Sequence, residues 1–405
     1  MQHLRLTEHA PTEAVSLNVA QVAALKRLVP DLVISPSGAA PGRYDVTPGS
    51  YVGVIRTSDL SIEIRPKLAI DRVLFMLSYA LRPEHWPPID FDFAPVSGLL
   101  EAIIPGFLSQ VRRAFSHGIL QGYRAEDAAL LTVRGRIRFD DQIRDRYGIC
   151  PPIEVRFDDF TEDIEVNRII KAALSRLEQL ARLTDVTRRS LRAYRGSLER
   201  VALVEYSPAL LPEITYDRLN QHYLPAVELG KLILRSTSYD LESGGLRATS
   251  MLFDMNRVFE DFVVIALREA LGLGKQSFPQ GARGRQFHLD RGQRIRLEPD
   301  ISWWEGDRCQ FVGDVKYKRV NAPGVKHPDL YQMLAYTVAA DLPAGLLIYA
   351  GGEGESVTHE VRMLGKRIRV LPLDLSGSPQ ELLAQMDMLA EVVRRMRWQA
   401  EASVA

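Results

Sequence analysis

Cysteine is scarce: the 405 residues contain two, Cys150 and Cys309. They lie far apart without metal-ligand spacing, which excludes a disulfide framework and a zinc site and points to the reducing cytoplasm. No apolar run reaches membrane-span length, and residues 1–5 do not lead into the apolar core of a signal peptide. A soluble cytoplasmic chain with no membrane partner is expected. Neither sign of charge is in excess, with 51 Lys and Arg against 51 Asp and Glu, so any surface for nucleic acid must be local. No G-x-x-x-x-G-K-[ST] segment occurs, and residues 351–354 carry glycines without the lysine. The chain is therefore not a P-loop NTPase, and a nucleotide-driven step needs a partner. A G-x-S-x-G elbow, an H-E-x-x-H helix and a Rossmann fingerprint are missing as well.

What is present is an ordinary globular composition, 46% hydrophobic and 25% charged, over a length that exceeds one hydrophobic core. The patterning predicts a mixed α/β protein of three parts: a small mixed domain over 1–82, a mostly helical region over 83–244, and a second α/β domain over 245–405. In the first part, helical periodicity covers 15–28, residues 51–55 and 60–64 flank the polar stretch 56–59 as a hairpin, and 73–81 opens a helix. The stretch 83–88 is a break. In the second part, helices are predicted over 99–122 and through much of 164–204, with Leu174, Leu177, Leu180 and Leu183 as a buried stripe. A strand over 130–139 would carry Arg134-Gly135-Arg136. The third part reads as a helix over 252–271, strands near 286–289, 295–304 and 309–317, a helix over 328–340, strands at 345–349 and 368–372, and a helix over 379–398.

The chemistry concentrates in 297–316. Two apolar strands, joined by Glu305-Gly306-Asp307, each carry an acid: Asp300 on the first, and Asp314 on the second two residues before Lys316. Alternation puts Asp314 and Lys316 on one face and Val315 on the other, and Asp300 can meet them from the neighbouring strand. Two carboxylates and an ammonium suit a divalent metal and an attacking water in phosphodiester cleavage. Asp300, Asp314 and the Val315 carbonyl would supply oxygen ligands to Mg²⁺, which favours octahedral oxygen coordination and retains waters. Mn²⁺ is an expected substitute. Lys316 would orient or help deprotonate the water and stabilise the anion. Gln332 and Tyr336 share one helix face at i and i+4. Glu260 lies on the preceding helix with Asp261 as a competitor, and is either a site residue or a solvated helix acid. Arg283, Arg285, Arg291, Arg294, Arg296 and His288 form a local basic segment, and Arg362, Lys366, Arg367 and Arg369 form another; each is either a phosphate-binding patch or a solvated hairpin. Of Trp303 and Trp304, alternation places one in the core and one outside.

The order Glu260, Pro299-Asp300, Asp314-x-Lys316, Gln332-x-x-x-Tyr336 resembles the PD-(D/E)xK nucleases. The first half adds Tyr51-Val52-Gly53-Val54-Ile55, Leu60 to Lys67 with its Ile64-Arg65-Pro66-Lys67 segment, Arg134-Gly135-Arg136, Asn167-Arg168 and Phe253-Asp254-Met255-Asn256-Arg257-Val258-Phe259-Glu260. Together these resemble the McrC family over nearly the whole chain. The resemblance implies an N-terminal α+β partner-binding region followed by a PD-(D/E)xK endonuclease domain. It implies catalytic Asp300, Asp314, Lys316, Glu260, Gln332 and Tyr336, with Gln332 and Tyr336 supporting the site. It also implies a McrB-like AAA+ GTPase hexamer as partner, which binds the GTP that this chain does not, and double-stranded, methylated DNA as substrate. A second nuclease domain could pair with it to cut both strands. Residues 56–59 and 99–139 are the candidates for an element that enters the partner ring. Two other classes compete: a non-cleaving adaptor of an AAA+ NTPase, and a stand-alone nuclease of repair or recombination.

Overall fold

A computed structural model describes residues 2–57, 59–81, 98–146, 151–180, 183–208, 210–241, 247–281, 285, 287–318, 327–351 and 356–402. The expected break at 83–88, Cys150, Arg283, residues 352–354 and the expected domain boundaries near 82 and 244 lie outside the described residues. Two compact units result. One comprises Met1–Gln2, Val54–Ser61 and Leu100–Leu252; the other comprises His3–Gly53, Ile62–Leu99 and Phe253–Ala405. The chain is α/β mixed, with several sheets and ten helices among the described residues, and none of those helices is long and apolar enough to cross a membrane.

The expected hairpin forms from Tyr51–Arg56 and Leu60–Arg65. The Thr57 N–H donates to the Leu60 carbonyl (2.8 Å) and its hydroxyl to the Asp59 carboxylate (2.8 Å), so the polar stretch closes as a turn.

In the first unit, the helix expected over 99–122 stops earlier, as Leu99–Ala114, before a turn where Gly118 takes φ +93°. The strand expected over 130–139 is corrected. The long strands are Gly122–Leu130 and Ile153–Thr161, which pair antiparallel from Gly122↔Thr161 to Leu130↔Ile153. Arg134-Gly135-Arg136 makes the turn beside them, leading into the two-residue strand Arg136–Ile137. Gly135 has φ +74°, and a Cβ there would meet the Arg156 carbonyl oxygen and Phe157. Strain and collision act together, so Gly135→Ala is expected to cost about 1–3 kcal/mol, read as a lower midpoint in urea denaturation.

The helical region splits into Glu165–Gln179 and Asp185–Ser197, followed by Leu224–Ser236. Leu174, Leu177 and Leu180 are buried as their spacing predicts. Asn167 and Arg168 are structural. Asn167, fully buried, donates to the Leu120 and Glu162 carbonyls (2.8 and 2.7 Å). Arg168 forms a bidentate pair with Asp163 (2.7 Å each). Asp163 also accepts from the Ala202 N–H (2.9 Å) and from Arg124. The Arg168 hydrogen bonds hold the Asp163 carboxyl well below the usual carboxylate range. A depressed folded-state pKa stabilises above the unfolded value of about 4 and loses that contribution as pH falls. Asp163→Asn should therefore lower stability at pH 7 by about 1–3 kcal/mol and flatten its loss below about pH 4, compared by thermal melts at both ends.

In the second unit, Asn18 caps the helix Val19–Leu28 through a reciprocal box with Gln21 (2.8 and 2.9 Å), which is why the periodicity from residue 15 becomes helix only at 19. Likewise Asp254 caps Met255–Leu271 through the Asn256 N–H (3.0 Å), leaving Leu252 and Phe253 in the preceding strand. Phe262 of this helix packs edge-on against Phe75 and Tyr79 of helix Ile70–Leu81 (centroids 5.7 and 5.5 Å). The principal sheet has the order Ile301–Glu305, Arg308–Lys316, Ala344–Ala350, Arg367–Leu373, Val357–Glu360. The outer pairings are antiparallel and the two central ones parallel. Met333 and Tyr336 of helix His327–Ala339 join Val312, Leu347, Tyr349, Ile368 and Val370 of the sheet in one core.

The tryptophan expectation is corrected: Trp303 and Trp304 are both buried. A β-bulge between them lets Trp303 face Phe311 and Trp304 face Cys309, skipping Gln310. The two rings still point to opposite faces, and both faces are covered: Trp304 joins Val312 and Met333 in the core under helix His327–Ala339, and Trp303 lies on the other side of the sheet. Arg397 lies over Trp303 and Arg285 over Trp304 (5.0 and 4.7 Å).

Candidate active site

The strand Arg308–Lys316 is central, and all its residues from Cys309 to Val315 are buried. Alternation from Val312, which packs on Met333 and Tyr336, places Asp314 and Lys316 on the face of helix His327–Ala339. The neighbouring strand runs antiparallel with Ile301 opposite Gly313, so Asp300, one step further, comes level with Asp314. The Asp300 carboxylate accepts the Val315 N–H (2.8 Å), fixing the first acid to the backbone of the second.

Asp314 is 1% exposed. Lys316 Nζ lies 2.5 Å from its Oδ2, yet neither Asp314 oxygen has a hydrogen bond of good geometry. Burial raises the Asp314 pKa against the pull of Lys316. Burial likewise raises that of Asp300, reinforced by Asp314 and Glu260. Burial works against the Lys316 charge, but Asp314 and then Asp300 and Asp329 outweigh it and raise the lysine above its ordinary value. The neighbouring acids thus favour the charged ammonium.

Glu260, on helix Met255–Leu271, is part of the same field. Burial raises its pKa, followed by repulsion from Asp261 and, more weakly, from Asp314. Its competitor Asp261 is engaged by Gln280 and by Arg257 at 3.8 Å. Tyr336 is 3% exposed; its hydroxyl accepts from Gln332 Nε2 (2.8 Å) and donates to the Glu298 carbonyl (3.0 Å). Burial and the two acids, Asp314 before Asp300, raise the Tyr336 pKa. The residues singled out in sequence therefore come together: Asp300, Asp314, Lys316, Tyr336 with Gln332, and Glu260 alongside.

One residue in this field, Asp329, had no assigned role in sequence. Asp329 is buried one helical turn before Gln332, where its spacing places it on the Gln332 face. It accepts the Tyr349 hydroxyl (2.7 Å) and lies 3.5 Å from Lys318 Nζ. The basic clusters change character. Arg285, Arg294 and Arg296 pair with Asp307, Asp290 and Glu298 (3.3, 3.7 and 2.9 Å), and Lys366 donates to the Thr337 and Leu342 carbonyls (3.3 and 2.7 Å). Local pairing removes much of the phosphate attraction expected of them.

Among the described residues no group of three or more His, Cys, Asp or Glu side chains is arranged to hold a metal ion. Two adjoining carboxylates nevertheless fit Mg²⁺, a hard ion that completes its shell with carbonyls and water. The unsatisfied oxygens of buried Asp314 are what such an ion would satisfy.

Comparison with known proteins gives the family. A family model described as "McrBC 5-methylcytosine restriction system component" matches residues 46–350. A chain from the "Refined half-complex from tetradecameric assembly of Thermococcus gammatolerans McrB AAA+ hexamers with bound McrC" shares the fold, with TM-score 0.56 and 16% identity, over 96% of this chain and 100% of that one. A chain from the "Cryo-EM structure of the Thermococcus gammatolerans McrBC complex" aligns at TM-score 0.38 and 16% identity, over 67% and 88%. No curated protein matches.

Proposed function

The chain belongs to the McrBC 5-methylcytosine restriction system component family, and from that premise we propose that it is the endonuclease subunit, a PD-(D/E)xK hydrolase that cuts double-stranded, methylated DNA with an AAA+ GTPase partner. The observation that carries the nuclease assignment is the buried Asp314 carboxylate, level with Asp300 and in contact with the Lys316 ammonium.

Asp300, Asp314 and the Val315 carbonyl would hold Mg²⁺, or Mn²⁺ in its place. When bound, the ion supplies Lewis acidity and neutralises charge at the scissile phosphate. Lys316, kept protonated by Asp314, donates to the water and to the anion that develops in the transition state. Asp300 is braced by the Val315 N–H and cannot swing away. Tyr336 and Gln332 hold the strand ahead of Asp300 through the Glu298 carbonyl. Glu260 adds a third carboxylate at the edge, to orient Lys316 or complete the ion's shell.

The partner surface is assigned to the unit holding Leu100–Leu252. Its ribbon of Gly122–Leu130 and Ile153–Thr161 exposes the cross-strand pair Tyr123 and Phe160 (centroids 5.1 Å). Exposed aromatics at one spot mark contact surfaces, and one strand of the ribbon, Gly122–Leu130, lies within 99–139, a candidate for ring entry. The turn at 56–59, closed on itself by Thr57 and Asp59, is the weaker candidate. The partner supplies GTP hydrolysis and the choice of DNA.

The test is reconstitution. Chain, AAA+ partner, GTP and Mg²⁺ together are expected to cut methylated duplex DNA, and omitting the chain or adding a chelator should stop cutting. Cutting by the chain with no NTPase present would favour a stand-alone nuclease; GTPase stimulation without cutting in either metal would favour an adaptor.

A further inference from the structure

The Arg65-Pro66-Lys67 segment is assigned by resemblance to the partner-docking half, yet it lies in the same compact unit as Asp300 and Asp314. The strand Leu60–Arg65 ends there, and the Glu8 N–H donates to the Arg65 carbonyl (2.9 Å). The Glu8 side chain is fully buried. Its Oε2 accepts the Lys67 backbone N–H (3.2 Å) and the Tyr317 hydroxyl (3.3 Å). Lys67 Nζ stands 3.9 Å from Oε1 and 4.1 Å over the Tyr317 ring, and His9 Nε2 is 3.4 Å from Oε1. Tyr317 is 2% exposed and packs on Phe259 (5.9 Å), the neighbour of Glu260.

Tyr317 directly follows Lys316, where the strand ends. Three consecutive side chains each meet an acid from a different segment: Lys316 meets Asp314, Tyr317 meets Glu8, and Lys318 meets Asp329. A residue at a strand end lacks a further ladder to hold it, so its backbone position depends on such side-chain anchors.

We infer that Glu8, through its hydrogen bond to Tyr317, is a positioning residue that sets the strand end and thereby the place of the Lys316 ammonium at Asp314. The inference rests on the nuclease assignment above. It gives the Arg65-Pro66-Lys67 segment a task in the cutting unit: Lys67 holds Glu8 in place by its backbone N–H and balances its charge.

The experiment uses the full chain with its AAA+ partner, GTP, Mg²⁺ and methylated duplex, read as single-turnover cleavage, DNA affinity and GTPase stimulation. Tyr317→Phe keeps the ring and its packing and removes the hydroxyl. Displacing a catalytic group by about 1 Å costs up to about 100-fold, so the cleavage rate constant is expected to fall about 10- to 100-fold with DNA affinity and GTPase stimulation retained. Glu8→Ala should do the same, and Glu8→Gln, which keeps an acceptor for the hydroxyl, should recover most of the rate. A Tyr317→Phe chain that cuts at the wild-type rate, or a Glu8→Gln chain as slow as Glu8→Ala, overturns the inference and leaves the nuclease assignment standing. If Glu8→Ala fails to fold, Tyr317→Phe decides alone. A wild-type chain that never cuts overturns the nuclease assignment and this inference with it.

Discussion

Asp314→Ala is expected to lower DNA cleavage by about 10³-fold or more, while GTPase stimulation of the partner stays at the wild-type level. The side chain is buried, its oxygens lack good hydrogen-bond partners, and it faces the Lys316 ammonium. Removing it takes away a metal ligand and leaves Lys316 without its closest counter-charge. Several kcal/mol of transition-state stabilisation disappear at once, and each 1.36 kcal/mol is tenfold in rate. Removing one partner of a buried ion pair also costs stability, so a thermal melt of the variant beside the wild type accompanies the cleavage assay. A gel assay on methylated duplex, run beside a phosphate-release assay on the partner, separates the two outcomes. Wild-type cutting by the variant would remove Asp314 from the mechanism.

The mirror result is expected from the ribbon. Replacing both Tyr123 and Phe160 by serine should weaken binding to the AAA+ partner by at least about 30-fold, since an aromatic anchor at the heart of an interface contributes about 2 kcal/mol or more. Both rings are exposed in this chain, so little folding stability is at stake. GTPase stimulation should fall in step with affinity and recover at high concentration of the variant. Cutting falls too, but only because the complex is lost. Unchanged affinity in a pull-down or calorimetric titration would place the docking surface elsewhere. The two substitutions together ask whether cutting and docking reside in separate parts of the chain.

The part of the site that sequence made legible is the part with local geometry. Asp314-x-Lys316 needs only the two-residue period of a strand, and Gln332-x-x-x-Tyr336 only the turn of a helix; both arrangements form, and Gln332 meets Tyr336 at 2.8 Å. Asp300 was reachable because a short turn makes its strand the neighbour of the next, although it comes level with Asp314 only through the bulge that skips Gln310. The failures share a cause: each depends on where the backbone leaves its regular period or on partners distant in sequence. Trp303 and Trp304 are both buried because partners distant in sequence cover each face of their sheet. Gly135 takes a left-handed φ inside what alternation suggested was a strand. Caps at Asn18 and Asp254 start helices later than periodicity alone predicts. Glu8 and Tyr317 stand 309 residues apart, and no periodicity links them. The basic clusters stayed open in sequence between a phosphate patch and a solvated hairpin, and the pairing of Arg294 and Arg296 with Asp290 and Glu298 favours the second.

Backbone scission by bound iron tests, without reference to DNA cutting, whether one divalent ion sits between Asp300 and Asp314. Fe²⁺ replaces Mg²⁺ at such oxygen sites, and the hydroxyl radicals it generates with peroxide and ascorbate break the nearest peptide bonds. Fragments of the full chain are then sized by mass spectrometry. The account expects scission on the strands carrying Asp300 and Asp314, suppressed by excess Mg²⁺ and absent in Asp314→Ala. Scission elsewhere, or an unchanged pattern in Asp314→Ala, would contradict it.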